Sequence, residues 1–188
     1  MKPLDRSAGL AIMYDMEQAP TANSKVVDQL RAFVEALLLS VWLGSMIFFS
    51  FAVAPSAFAV LPTREMAGVL VTSTIGKIEL LGLIIGPLLI LIKALGWRAR
   101  RSSGASKTLQ IVLVLVMIAA AALSRFWISP SMVSLRAAMG GHIDDLPATD
   151  PLRVQFNDLH QYSVALMGTA MVAGVVVLFL SVRSWLKR

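Results

Sequence analysis

Ala36–Leu61 reads ALLLSVWLGSMIFFSFAVAPSAFAVL, a run without a single charged side chain. A helix needs about 20 apolar residues, at about 1.5 Å of rise each, to cross the hydrocarbon of a bilayer. The run is long enough, so it is read as a transmembrane helix ending near Leu61-Pro62. Pro55 falls inside it, and lipid-embedded helices tolerate proline because neighbouring helices satisfy the freed carbonyl.

Working outward, three more segments repeat the pattern. Met66–Leu95 is interrupted by Lys77 and Glu79 and carries Gly76, Gly82 and Gly86-Pro87, where a helix bends readily. It is read as one long, bent helix, with an interfacial segment followed by a shorter span as the alternative. Lys107–Pro130 holds an uncharged core from Thr108 to Ser124, with Arg125 near its far end. An apolar stripe at helical spacing then continues through Met132, Leu135 and Met139 until Gly140-Gly141 stops it. Thr149-Asp150-Pro151 supplies a capping acceptor followed by a proline suited to a first helical turn. The last span is expected over residues 151–185. The fold class is therefore all-α, a polytopic membrane four-helix bundle, with residues 1–31 a mobile tail and residues 32–188 the four-span domain. The tip between the third and fourth spans, Gly140–Asp150, is expected to stand clear of the bilayer.

Composition agrees with this reading. The chain has 188 residues, 57% of them apolar and 15% charged, with a formal net charge of +6 and no cysteine. Its mean hydropathy is +0.75. Ordinary soluble domains carry about 45–50% apolar and about 25% charged residues. These figures exclude a disordered chain, a disulfide-stapled domain and thiolate chemistry. The first residues lack the basic start and apolar middle of a secretory signal, so no removal is expected, and Met13 and Met16 offer alternative starts.

Charge sets the expected orientation. Lys93, Arg98, Arg100, Arg101 and Lys107 crowd the connection between the second and third spans, and Arg183, Lys187 and Arg188 follow the fourth. The opposite connections hold Arg64 and the acidic Asp144, Asp145 and Asp150. Basic residues favour the cytoplasmic side. Both termini are thus placed in the cytoplasm, with a bacterial inner membrane as the simplest home, although the same charge rule holds for a eukaryotic endomembrane. Topology accounts for the basic loop, so no nucleic-acid partner is inferred from it.

The ionisable residues that remain gather toward one level. Glu79, Arg125, Asp158, His160 and Tyr162 are expected to form an outward-facing polar cluster, because charges in lipid cost roughly 2.5–3.5 kcal/mol each and tend to face the bundle and pair. Glu79 has a short stem and needs a partner, a proton or a water-filled cleft. An ion pair with Arg125 or Lys77 is one reading; a transport or proton-relay role is the other. Lys77, Lys93 and Arg64 are read as snorkelling to the headgroups. The tryptophans, Trp42, Trp97, Trp127 and Trp185, are read for the most part as interfacial.

Gly82 with Gly86, and Ala170 with Gly174, have the small-x-x-x-small spacing that lets helix backbones approach. Packing within the chain is their first expected use, and homo-oligomerisation through the same faces the second. His160 and His142 are too few and too far apart in sequence for a metal or bis-histidine haem site, and the methionines of the spans form no Met-x-x-Met cluster. No metal, cofactor or catalytic residue is assigned, and motifs for hydrolases, metalloproteases and phosphate loops are absent. The chain is therefore read as a non-enzyme.

The order of Trp42-Leu43-Gly44-Ser45, Phe48-Phe49, Ala54-Pro55, Phe58, Leu61-Pro62 and Ala67-Gly68, then Trp127-Ile128-Ser129-Pro130-Ser131-Met132 and Phe156–Ser163, resembles the transmembrane protein 205-like family of four-span proteins. The resemblance covers about residues 30–185. It implies a four-span membrane protein and, through a mammalian relative, an association with drug resistance and trafficking, but no agreed reaction. His160 and Pro130 match family positions, Arg125 is similar to an arginine before that proline, and Glu79 has no clear counterpart. Copper-resistance D-type membrane proteins are distantly similar in the first helix, without the histidines a metal role needs. The expected function is an integral membrane protein, transporter-like or resistance-associated. The alternatives are a structural or interaction module and, third, a haem- or copper-linked protein.

Overall fold

The computed structural model describes residues 22–98, 104–140 and 146–186, and these are helical almost throughout. In chain order the elements are α1 (Ala22–Phe48), a π turn (Phe49–Val53), α2 (Ala54–Val60), α3 (Arg64–Arg98), α4 (Gly104–Leu123), a second π turn (Ser124–Ile128), α5 (Ser129–Ala138) and α6 (Pro151–Leu186). They make four helices long and apolar enough to cross a membrane: Lys25–Val60, Arg64–Leu95, Ala105–Ala138 and Pro151–Leu186. The protein is an all-α, multi-pass membrane four-helix bundle, and the described residues contain no strand.

The described residues before Glu35 belong to one compact unit and those from Glu35 onward to another. In the first, the described part is helical and carries an Asp28–Arg31 pair at 3.9 Å. The expected mobility of the tail up to Thr21 lies outside the described residues. So do the basic loop at Arg100 and Arg101, the tip at His142, Asp144 and Asp145, and the terminal Lys187 and Arg188.

The second span is one helix, α3, continuous through Gly76, Gly82 and Gly86-Pro87. At about 1.5 Å per residue its 35 residues extend about 50 Å, well beyond a hydrocarbon core of about 30 Å. Asp150 begins α6: its Oδ1 accepts from the Leu152 N–H at 2.8 Å, with Pro151 next in line where a missing N–H costs nothing. Gly140 ends α5 with φ 63, a left-handed conformation that glycine adopts without strain.

The core runs along the bundle axis. Leu39, Trp42, Leu43 and Met46 of the first span meet Ile85 and Leu89 of the second, Val114 and Met117 of the third, and Ala170, Ala173 and Val177 of the fourth. Trp42 corrects its reading as an interfacial residue, for it is 1% exposed. Its indole fills the slot left by Gly82, where a Cβ would come within 2.6 Å of the ring. Gly86 gives Ile118 the same room at 2.3 Å, and Gly174 admits Met117 and Leu43. The small-residue pairs are thus occupied inside the bundle.

The two hairpins share a sequence pattern. Phe51-x-x-x-Pro55-Ser56 in the first span returns as Phe126-x-x-x-Pro130-Ser131 in the third, each overlapping a π turn. Counted back from those prolines, Leu39 corresponds to Val114, Trp42 to Met117 and Glu35 to Gln110, and all six are buried. In the return helices, Gly82, Ile85, Gly86 and Leu89 correspond to Ala170, Ala173, Gly174 and Val177. Four residues further along stand Lys93 in one and Ser181 in the other.

Candidate functional site

Two polar sites interrupt this apolar core. They lie about 21 Å apart along α3, the rise from Glu79 to Lys93.

At the first, Lys93 corrects its reading as a snorkelling residue. Its ammonium donates to Glu35 Oε1 at 2.6 Å, Gln110 Oε1 at 2.6 Å and Ser181 Oγ at 3.3 Å. The Ser181 hydroxyl donates in turn to Glu35 Oε1 at 2.6 Å. Each of the four spans contributes one side chain. The Lys93 and Glu35 side chains are only 7% and 11% exposed. Three ammonium protons meet three acceptors, which is the full complement that a buried lysine can use. Desolvation makes an unpaired charge here costly, so the node holds the four helices at one level.

The second site is centred on Glu79, which is 5% exposed. The hydroxyls of Ser124 and Ser129 both donate to its Oε1, the latter at 3.2 Å. Residues five apart would not share a face of an α-helix. Here the Ser129 N–H bonds the Ser124 carbonyl, the i to i+5 register of a π turn, and this brings the two hydroxyls into line. Pro130 follows at once and has no N–H with which to restore the α register. The other carboxylate oxygen, Oε2, is buried and has no hydrogen-bond partner.

Beside Glu79 lies a cavity of about 30 Å³, lined mainly by Trp42, Met46, Met117, Ala120, Leu166 and Ala170, with Ser124 and Ser163 as further polar groups. A void needs about 10–15 Å³ to hold one water, so this one has room for about two. In the other hairpin Met167 takes the place that corresponds to Glu79, and it accepts from Ser50 Oγ at 3.2 Å. A serine hydroxyl from another span thus meets each of these side chains, although Ser50 itself corresponds to Arg125 by the proline count.

The remaining candidates are placed as follows. Arg125 is exposed, and its guanidinium lies over Gly76, with Nη1 3.0 Å from where a Cβ would stand. Asp158 and Tyr162 line a shallow groove of about 430 Å³ with Ser131, Ser134, Leu135, Gln155 and Leu159. His160 is exposed and outside that groove. Glu79 and Arg125 therefore share a neighbourhood, while Asp158 and Tyr162 share a different one. Among the described residues no group of three or more His, Cys, Asp and Glu could hold a metal ion. One further cation, Arg136, stacks over the Phe156 ring at 5.6 Å and presses on Gly68, with its Nε buried and unpartnered.

Sequence reasoning missed Glu35, Lys93, Gln110 and Ser181. The available signal was the correspondence of Glu35 with Gln110 ahead of the two Phe-x-x-x-Pro-Ser segments. A family model described as a domain of unknown function, DUF4149, matches residues 37–140. Comparison with curated proteins and with solved structures finds no match.

Proposed function

From the premise that this chain belongs to the DUF4149 family, we propose that it is a small transporter-like membrane protein whose working group is Glu79. The observation that carries this reading is Glu79 itself, which lines a water-sized cavity while its Oε2 is buried without a hydrogen-bond partner. A carboxylate inside a membrane span is costly, and a helix bundle built only to be stable would replace it or pair both oxygens. A small cation or polar solute that meets Oε2 would satisfy it. The reading involves no covalent chemistry, no cofactor and no nucleic acid.

The positive-inside bias supports placing both termini and the Lys93–Lys107 connection in the cytoplasm, and a bacterial inner membrane is the location proposed with it. The Glu79 site then belongs to the outer half of the bundle and the Lys93 node to the inner end. The resemblance to the transmembrane protein 205-like family, with its resistance-associated relative, agrees with a transport role and supplies no substrate. A docking module is the rival reading. Against it, Gly82, Gly86 and Gly174 are occupied by Trp42, Ile118 and Met117 of the same chain rather than offered to a partner.

Flux into proteoliposomes tests the proposal, with sodium, potassium and proton gradients imposed in turn. The wild-type protein is expected to dissipate at least one gradient faster than empty vesicles, and Glu79→Gln to lose that excess. Equal rates with and without protein, for all three ions, would refute it.

A further inference from the structure

We propose that the species Glu79 takes up and releases is a proton, reached through the groove at the seam of the third and fourth spans. This names the solute of the transporter-like reading and rests on it.

The size of the cavity is the first argument. Organic ligands occupy pockets of about 300–1,000 Å³, whereas this one, at about 30 Å³, has room for about two waters. Its donor set is the second. A dehydrated divalent cation takes about six or more oxygen ligands. The cavity wall offers the Glu79 carboxylate and the hydroxyls of Ser124 and Ser163. A proton needs one free carboxylate oxygen, and Oε2 is that oxygen.

The route is the third. On the fourth span, Asp158 and Tyr162 of the groove lead directly to Ser163 and Leu166 of the cavity. On the third span, Ser131 of the groove is followed inward by buried Ile128 and then by Ser124 of the cavity. Groove and cavity are therefore stacked along one seam, with Ile128 between them.

In the uptake step a hydronium in the cavity gives its proton to Oε2 and leaves as water. The site gains one positive charge and Oε1 keeps its two hydroxyl donors. Release is the reverse. The charged group that bears on Glu79 from the third span is Arg125. The first and fourth spans present Met46, Ser163 and Met167 to the cavity, none of them charged. On its own helix Lys77 is exposed.

Infrared difference spectroscopy of the full chain in lipid, as a function of pH, is the test. A protonated carboxyl band is expected to appear and disappear with pH, to shift in D2O, and to be missing in Glu79→Gln. Ser124→Ala, which removes a donor to Oε1, is expected to move the band, so a misfolded Glu79→Gln would not leave the assignment open. Absence of any such band overturns the proposal, as does a band that neither titrates nor exchanges. Proteoliposomes that pass sodium or potassium while the band fails to titrate would overturn the proton and leave the transporter-like reading standing. A titrating band without flux of any ion would do the opposite.

Discussion

Replacing Lys93 with methionine removes the ammonium that joins Glu35, Gln110 and Ser181 and leaves the Glu35 carboxylate with the Ser181 hydroxyl. The two charged side chains are only 7% and 11% exposed, so water cannot take over the lost contacts. Breaking a buried pair from one side costs about 3–5 kcal/mol, whereas removing both charges is close to neutral. Lys93→Met is therefore expected to lose about 3–5 kcal/mol, and Glu35→Gln with Lys93→Met to stay within about 1 kcal/mol of the wild type.

The repeat adds a sharper version. Gln110 Oε1 already stands 2.6 Å from the same ammonium. Glu35→Gln with Gln110→Glu moves the carboxylate to the corresponding place in the other hairpin and keeps the ion pair. It is expected to recover most of the roughly 3 kcal/mol that Glu35→Gln loses alone. Unfolding by sodium dodecyl sulfate in mixed micelles, followed by the fluorescence of buried Trp42, measures all four variants. If Lys93→Met unfolds with the wild type, the node contributes nothing to stability. If the relocated carboxylate is as damaging as its removal, the two positions are not equivalent.

Other predictions use the same unfolding assay or simple labelling. Gly82→Ala and Gly86→Ala place a Cβ against Trp42 and Ile118 and are expected to cost about 1–3 kcal/mol each. Gly44→Ala and Gly168→Ala meet nothing within 4 Å and should be neutral, or stabilising by up to about 1 kcal/mol through helix propensity. Four equal responses would show that the glycines do not govern packing. The absence of native cysteine makes single-cysteine labelling clean. With both termini inside, cysteines at exposed Thr63 and Ala148 are expected to react with an impermeant maleimide on intact cells, and one at Ser102 only after lysis. The reverse pattern would turn the Glu79 site toward the cytoplasm.

Four membrane spans were legible from the chain alone because hydrocarbon imposes a one-dimensional rule: length and charge decide what can cross. Glu79 also stood out, as a short-stemmed carboxylate within an apolar run. Its hydroxyl partners did not, since serines in a span carry no signal of their own. Only the π turn, an extra residue in the helical ladder, aligns Ser124 with Ser129. Glu35 and Lys93 sit at the ends of apolar runs, where linear sequence reads any charge as a headgroup contact. Trp42 looked interfacial for a similar reason, because nothing along the chain tells an indole that a glycine on another helix will leave it a slot. Depth in the bilayer is a property of each segment, but facing and pairing depend on how four helices turn toward one another, and that was decided by the packing of the bundle.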